Sequence, residues 1–278
     1  MPALPQIVKR VFTAFSKFGF CCRSAATPLS FWRLLVHTKK AKRSRNNPAL
    51  YSNALQVAYT LQLHKHIRLF YLRTYQGDLQ IFYDVFWRSI YQLPAPLFAR
   101  AKTILDLGAH IGMTAAYFNI QCPQATIYCI EADEANYELL TNNLQPAIRN
   151  GKVKAIHAAI SNSRETVYLQ KASYSYNSQL SDAITPFPVK GIVLDQFIQE
   201  QHITHIDIIK IDIEGAESFL LHDPQHWMVI TDTILIEIHS EQNLQLFKSA
   251  AARFGFRVEK RALDFENLYV AYKGTIDS

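Results

Sequence analysis

The residues that can do chemistry concentrate in two short stretches late in the chain. Ile206 to Glu217 reads IDIIKIDIEGAE, and strand alternation sets Lys210, Asp212 and Glu214 on one side, with Ile209, Ile211 and Ile213 on the other. Three charges on a central strand are costly unless they face a polar site or one another. The run is therefore expected at the carboxyl edge of a sheet, where open α/β sheets bind ligands. Gly215 then turns the chain into a helix. Thr233 to Ser240, TILIEIHS, repeats the arrangement, because Leu235, Glu237 and His239 share a face and the last two reach the same edge. Carboxylates and an imidazole converging there suit proton transfer or substrate contact. For Lys210 the structural alternative is a buried salt-bridge cluster. His202 with His205, and His222 with His226, fall on helical or loop surface and are read as solvated.

An earlier stretch, Asp106 to Gly112 (DLGAHIG), follows an apolar run and opens a helix. Gly108 and Gly112 permit a tight turn and the approach of a ligand without a Cβ in the way. His110 stands where a dinucleotide fingerprint needs its middle glycine, which argues against a pyrophosphate cradle. Glu131 lies 25 residues beyond Asp106 at the end of the next strand, where a carboxylate can accept from ribose hydroxyls, and Asp133 sits beside it.

The elements that must position these residues alternate. From Arg100 onward the pattern gives strands at Thr103 to Leu107, Thr126 to Ile130, Val153 to Ile160, Ile206 to Ile213 and Thr233 to Ile238. Helices fall between them at Gly112 to Ile120, Ala135 to Leu144, Leu194 to Glu200 and Ala216 to His222, with a last one at Gln242 to Phe254. That is an α/β, doubly wound, mostly parallel sheet with helices on both faces. Thr166 to Gln170 is an extra strand, Tyr174 to Pro188 a polar and aromatic loop, and Phe256 to Lys260 with Leu268 to Tyr272 a C-terminal antiparallel hairpin. Ahead of it lie a small, basic, helical N-terminal segment over 1–60 and an aromatic-rich lead-in over 61–96, expected to pack on a catalytic domain at 97–278. In the lead-in, two short extended runs are expected around Gly77 and Asp78, then a helix from Leu79 to Tyr91.

Composition narrows the classes. The chain has 278 residues, 49% of them hydrophobic and 19% charged, which excludes long disorder and collagen-like repetition. No run of about 18 uncharged apolar residues occurs, and no secretory signal is seen, so the expected compartment is the cytoplasm. Cys21, Cys22, Cys122 and Cys129 form no C-x-x-C pair and no zinc-type spacing; they are read as reduced, and no metal ligand is assigned. The net charge of +6 is unevenly spread: residues 1–77 carry 13 Lys or Arg and no acid, whereas 78–278 carry 16 against 23. Lys39, Lys40, Lys42, Arg43 and Arg45 form a cluster suited to phosphates or anionic headgroups. Residues 1–50 are thus a candidate peripheral contact with the inner face of an anionic membrane, the alternative being a solvated arm.

In order, DLGAHIG, IEAD (Ile130 to Asp133), NNL (Asn142 to Leu144), LDQFI (Leu194 to Ile198), IDIIKIDIEGAE and IEIHS resemble the FkbM-type methyltransferases over about residues 70 to 272, with RTYQGD (Arg73 to Asp78) similar to the family's lead-in. KIDIEGAE is the most specific of these motifs. The resemblance implies a class I methyltransferase-like fold, S-adenosyl-L-methionine as cofactor, and methylation of a hydroxyl on a glycan, lipid-linked sugar or secondary metabolite. It implies that Asp106, Gly108, Ala109, His110, Gly112, Glu131 and Asp133 hold the cofactor. Asp212, Glu214, Glu237 and His239 would line the acceptor side, with Asp212 or His239 as base and Lys210 orienting an acid or stabilising an alkoxide. The family's GAN is here GAH, with His110 at the Asn place. Two other readings stay open: a nucleic-acid methyltransferase gripping through the basic arm, and a non-catalytic nucleoside-binding protein on the same fold. Against the first, the N-P-P-Y-type tetrapeptide of amino-methylating enzymes is absent and IEG stands in its place.

Overall fold

Alternation with a period of two makes the first sheet. Val57, Tyr59, Leu61 and Leu63 are buried on one side of β1 (Gln56–Leu63), which pairs antiparallel with β2 (His66–Arg73) from Gln56 opposite Arg73 to Leu63 opposite His66. The two-residue turn at His64 and Lys65 places His64 at φ 54°, as the right-handed twist of a tight hairpin requires. The protein is described from a computed structural model that covers residues 6–44, 56–171, 179–181, 183–222, 226–261 and 267–274. It divides into two compact units, residues 1–90 and 91–278.

In the first unit, α1 (Gln6–Ser24) and α2 (Pro28–Ser44) precede the hairpin. Thr27 starts α2 by accepting from the Ser30 backbone N–H at 3.1 Å, and Pro28 follows at the first helical position. The unit closes with α3 (Asp78–Phe86), entered through Gly77 at φ 91°. Asp78 is fully buried there and binds Arg73 through both carboxylate oxygens, at 2.9 Å each. Three expectations change. The helical stretch over 1–60 ends before a strand that begins at Gln56, the extended runs placed around Gly77 lie earlier and turn at His64, and the helix expected to reach Tyr91 stops at Phe86. The strand pattern of Val57 to Leu63 was masked by the helical stretch before it.

The second unit opens with α4 (Ala95–Arg100) and runs β3 (Thr103–Leu107), α5 (Met113–Gln121), β4 (Thr126–Glu131), α6 (Glu134–Asn143), α7 (Gln145–Arg149) and β5 (Val153–His157). Four short strands follow: β6 (Ala159–Ile160), β7 (Thr166–Gln170), β8 (Gln179–Ser181) and β9 (Pro188–Ile192). Then come α8 (Leu194–Glu200), β10 (Ile206–Ile211), α9 (Glu217–Leu221), α10 (His226–Val229), β11 (Thr231–Glu237), α11 (Glu241–Arg253), β12 (Phe256–Lys260) and β13 (Leu268–Lys273). The main sheet has the order β12-β13-β11-β10-β3-β4-β5, parallel except for β13, which runs antiparallel to both neighbours. Its core is aliphatic: Leu105, Leu107, Ile209, Ile211, Ile234 and Ile236 are all fully buried, as strands covered on both faces demand.

The chain moves outward from β3 through β4 to β5, then returns to lay β10 on the other side of β3. β3 and β10 are thus the strands at which the order reverses, the place where sheets of this kind bind ligands. Two details differ from expectation. The strand expected through Ile160 breaks at Ala158, and β6 joins a separate four-stranded sheet, β6-β9-β7-β8. Within the stretch read as a loop, Gln179–Ser181 pairs with β7; residues 174–178 and 182 of that loop lie outside the described residues.

Candidate active site

The carboxyl ends of β3 and β10 meet at the glycine turn. Gly108 stands at φ +73°, and a Cβ there would lie 1.7 Å from the carbonyl oxygen of Asp212. At Gly112, φ +83°, a Cβ would come within 2.8 Å of Leu144 Cδ1. The room these glycines leave is filled by the neighbouring strand's backbone and by the end of α6, while Gly108 also lines the pocket beside it. His110 stands at φ 50°, a left-handed conformation in which Asn, Asp and His are the enriched non-glycine residues. Histidine is therefore among the few side chains that this turn admits. Its backbone N–H, at 2.7 Å, donates to Glu131 Oε2.

Glu131 closes this side. Its carboxylate also accepts from the Asp133 backbone N–H at 2.9 Å and from Asn136 Nδ2 at 3.3 Å. A carboxylate offers about four acceptor positions, so capacity remains on Oε2 for a hydroxyl from the pocket. Burial pushes its pKa up to about 7 against the pull of those three donors. Asp133 lines the same pocket, but its carboxylate is engaged: Oδ1 caps α6 by accepting from Ala135 and Asn136, and Oδ2 pairs with Lys171 at 2.9 Å.

The pocket is bounded by Gly108, His110, Glu131, Asp133, Asp212 and Glu214, with apolar walls that include Ile130, Ile213, Leu169 and Leu180. Four carboxylates and no Lys or Arg line it among the described residues. Such a lining repels phosphates and favours a cation. Beneath it, Lys210 is 2% exposed and its ammonium donates to the Gly108 carbonyl at 2.7 Å while lying 3.4 Å from both Asp106 and Asp212. Burial alone would lower the ammonium pKa, but Asp212, then Asp106 and Glu237, outweigh it and raise it. Asp106 is itself fully buried, which raises its pKa. Asp106 and Lys210 thus stiffen the turn from below, where no pocket surface reaches them.

A second cluster stands at the β10–β11 end. Glu214 is at φ 38° and Gly215 at φ 84°, so the strand ends at Ile211 and the chain turns under Glu214 instead of continuing its alternation. His239 Nε2 lies 3.6 Å from Glu214 Oε1, and its Nδ1 donates to the fully buried Glu217, whose other oxygen accepts from Asn243 Nδ2 at 3.0 Å. Burial would lower the imidazole pKa, but the bond to Glu217 and the charge of Glu214 raise it to about 9. Burial would raise the Glu217 pKa, but the same bond, together with backbone donors and the imidazole charge, lowers it. Glu214 is raised to about 7, chiefly by burial. Glu237 is likewise raised to about 7 by burial and then by Asp212, and it accepts from the Tyr91 hydroxyl at 2.6 Å. Asp212, Glu214 and His239 bring one ligand-type atom each to within 4.8 Å of one another, but an imidazolium held between Glu214 and Glu217 has no lone pair to give a cation.

Of the residues expected at the cofactor, Gly108, His110, Glu131 and Asp133 line the pocket; Asp106 and Ala109 are buried behind it and Gly112 packs on Leu144. Of the acceptor-side set, Asp212 and Glu214 line it, while Glu237 and His239 stand next to them. Sequence reasoning missed Glu217, Tyr91, Asn243 and the Leu169–Leu180 wall. Glu217 had a signal, since it lies inside KIDIEGAE and before an apolar helix; Tyr91 is 146 residues from its partner and had none.

Residues 106–258, more than half of the chain, match the family described as the methyltransferase FkbM domain. The chain is 26% identical over 220 residues to methyltransferase sdnD of Sordaria araneosa, covering 65% of this chain and 83% of that one. A solved FkbM methyltransferase from Methylobacillus flagellatus KT aligns at 14% identity and a TM-score of 0.45, over 95% of this chain and 59% of that one; this chain thus spans under two thirds of its length. A solved structure described as a putative caffeoyl-CoA O-methyltransferase from Staphylococcus aureus aligns at 14% identity and a TM-score of 0.40, over 70% and 81% of the two chains. The cofactor of such methyltransferases is S-adenosylmethionine, and the residues present fit it: a buried carboxylate with spare acceptor capacity for a ribose, apolar walls for a base, and an acid lining for a sulfonium. The match begins at Asp106 and takes in the glycine turn, Glu131, KIDIEGAE and the β11 edge, and by it the chain belongs to the FkbM methyltransferase family.

Proposed function

We propose that the chain methylates a hydroxyl oxygen on a glycan, a lipid-linked sugar or a secondary metabolite. The observation that carries this reading is the gathering of Asp212, Glu214, Glu237 and His239 at one end of an acid-lined pocket. Bound S-adenosylmethionine supplies an electrophilic methyl on a sulfonium. Glu131, held by the His110 backbone N–H, would accept from the ribose hydroxyls beside the turn from Gly108 to His110. Asp212, tethered by Lys210 at 3.4 Å, would accept the hydroxyl proton as the methyl leaves sulfur for oxygen, with the neutral thioether as leaving group. Orientation within about 3 to 3.5 Å contributes roughly 7 to 11 kcal/mol, more than the 10² to 10⁴ in rate typical of a general base, so holding the two reactants in line is the larger part. The same reading puts the chain in the cytoplasm, in keeping with four free cysteines; no described helix is long and apolar enough to cross a membrane.

The test is transfer of labelled methyl from S-adenosylmethionine to fractionated cellular hydroxyl compounds, with cofactor affinity measured alongside. Glu131→Ala is expected to weaken cofactor binding by about tenfold or more. Asp212→Asn should leave that affinity little changed and lower turnover by about 10² or more. Label found on nitrogen, or tight cofactor binding with no transfer to any fraction, overturns the hydroxyl reading.

A further inference from the structure

The first unit carries an apolar surface that its own core does not use. On α1, Phe20, Cys21 and Ser24 are buried, whereas Val8, Val11, Phe12, Phe15 and Phe18 are exposed on the opposite side of the helix. Their spacing of three and four residues makes them one stripe. Phe12 is 75% exposed and Phe15 72%. On α2, Leu29, Trp32 and Val36 form a second stripe of the same period, with Trp32 62% exposed. The stripes join through aromatic contacts, Phe18 to Phe31 at 5.8 Å and Phe31 to Trp32 at 5.6 Å between ring centroids. Single exposed apolar residues need no explanation, but two joined stripes of this kind mark a docking surface.

Charge says what docks. Residues 1–77 hold 13 Lys or Arg and no acid, so nothing on these helices repels an anion. Arg23, Lys39, Lys40 and Lys42 are exposed on the same two helices. A protein partner for a basic apolar face would have to supply both acids and a matching cavity, whereas an anionic bilayer offers a planar sheet of negative headgroups over acyl chain. Aromatic side chains and a basic periphery on a helix surface are the features that lie in such an interface. We propose that α1 and α2 dock the chain on an anionic lipid surface, with Phe12, Phe15 and Trp32 entering the headgroup region and the basic residues of α2 paired with phosphates.

The experiment is flotation of the full chain with vesicles of phosphatidylcholine alone and of phosphatidylcholine mixed with phosphatidylglycerol. The wild type is expected to float with the anionic vesicles only, less as salt is raised. Lys39→Gln, Lys40→Gln and Lys42→Gln together should weaken partitioning by about 10²-fold, on the usual contribution of each basic residue at an anionic surface. Phe12→Ser with Phe15→Ser, and separately Trp32→Ser, should each weaken it by about tenfold or more, with circular dichroism and cofactor affinity unchanged. A wild type that floats with neither vesicle overturns the proposal. So does light scattering that shows a dimer dispersed by the same apolar substitutions while vesicles bind neither form, which would give the face to a second copy. Equal binding by wild type and the apolar variants also overturns it, since charge alone would then hold the chain.

Discussion

His239 sits between Glu214 and the buried Glu217, and with a pKa raised to about 9 it is an imidazolium at neutral pH. In that state it has no lone pair with which to accept a proton, so on the proposed reading it orients Glu214 and offsets the charge of the acid cluster, and Asp212 is left as the base. The pH profile distinguishes the roles. Turnover per substrate bound should rise with an apparent pKa near 7, as Glu131, Glu214 and Glu237 ionise as an interacting set and favour a cationic donor, then fall toward 9 as His239 loses its charge. His239→Gln should remove the alkaline fall and leave the rise near 7. A rate that climbs through 9 and is lost in His239→Gln would make His239 the base. Residue types were legible here because KIDIEGAE and IEIHS are local and each ends a strand. Glu217 was passed over because an acid opening a helix reads as a capping charge, and only tertiary contact shows it holding a histidine.

At the scale of elements, strand ends were readable wherever an apolar run met a glycine or an acid, and unreadable where the chain changed sheets without changing composition. Val153 to Ile160 reads as one strand broken only by Lys154 and His157, yet β5 stops at His157 and β6 pairs with β9; the bond from the Ala158 N–H to the Glu131 carbonyl, 3.0 Å, is the last of the main-sheet ladder. The small sheet that follows brings Leu169 and Leu180 to the pocket, so a polar-looking segment supplies an apolar wall. The β3 turn allows a sharper test. Gly108 and Gly151 share a left-handed conformation, φ +73° and +75°, but only Gly108 faces backbone, with Asp212's carbonyl 1.7 Å from where a Cβ would stand; nothing lies within 4 Å at Gly151. Gly151→Ala should cost about 1 to 2 kcal/mol and leave cofactor affinity intact. Gly108→Ala adds a backbone collision between β3 and β10, and should cost about 3 kcal/mol or more and lose cofactor binding in whatever folds. Urea denaturation with cofactor titration of both variants measures the difference; equal losses would mean that strain alone, not close approach, fixes Gly108.

Over the whole molecule, a net charge of +6 conceals a first unit with 14 basic and 2 acidic residues, +12, and a second with 15 and 21, −6. That imbalance was legible from the sequence alone; how the second unit tolerates its buried acids was not, because it depends on which of them face one another. Glu131, Glu214 and Glu237 are held near 7, so between about 4.5 and 7 the folded chain keeps protons that the unfolded chain has released. Each therefore loses stability as pH rises through that window. His239 has the same sign by another route: its stabilising charge is fully present below its ordinary value of 6.5 and is lost as pH rises through about 9. Glu217, lowered, contributes only above its ordinary carboxylate range and loses that contribution in acid. The ligand-free chain should thus be most stable near pH 5, with a melting temperature that falls steadily to pH 9. Glu214→Gln and Glu237→Gln should flatten the lower half of that fall and His239→Gln the upper half. S-adenosylmethionine should raise the melting temperature increasingly above its uncharged thioether product as pH passes 7, because the two differ by the single positive charge that the ionised acids face. Scanning fluorimetry from pH 5 to 9 with both ligands measures all of this. A wild-type melting temperature that stays level or climbs across the range would mean that these acids are ionised throughout, and the cation-selective lining would then have no titrating origin.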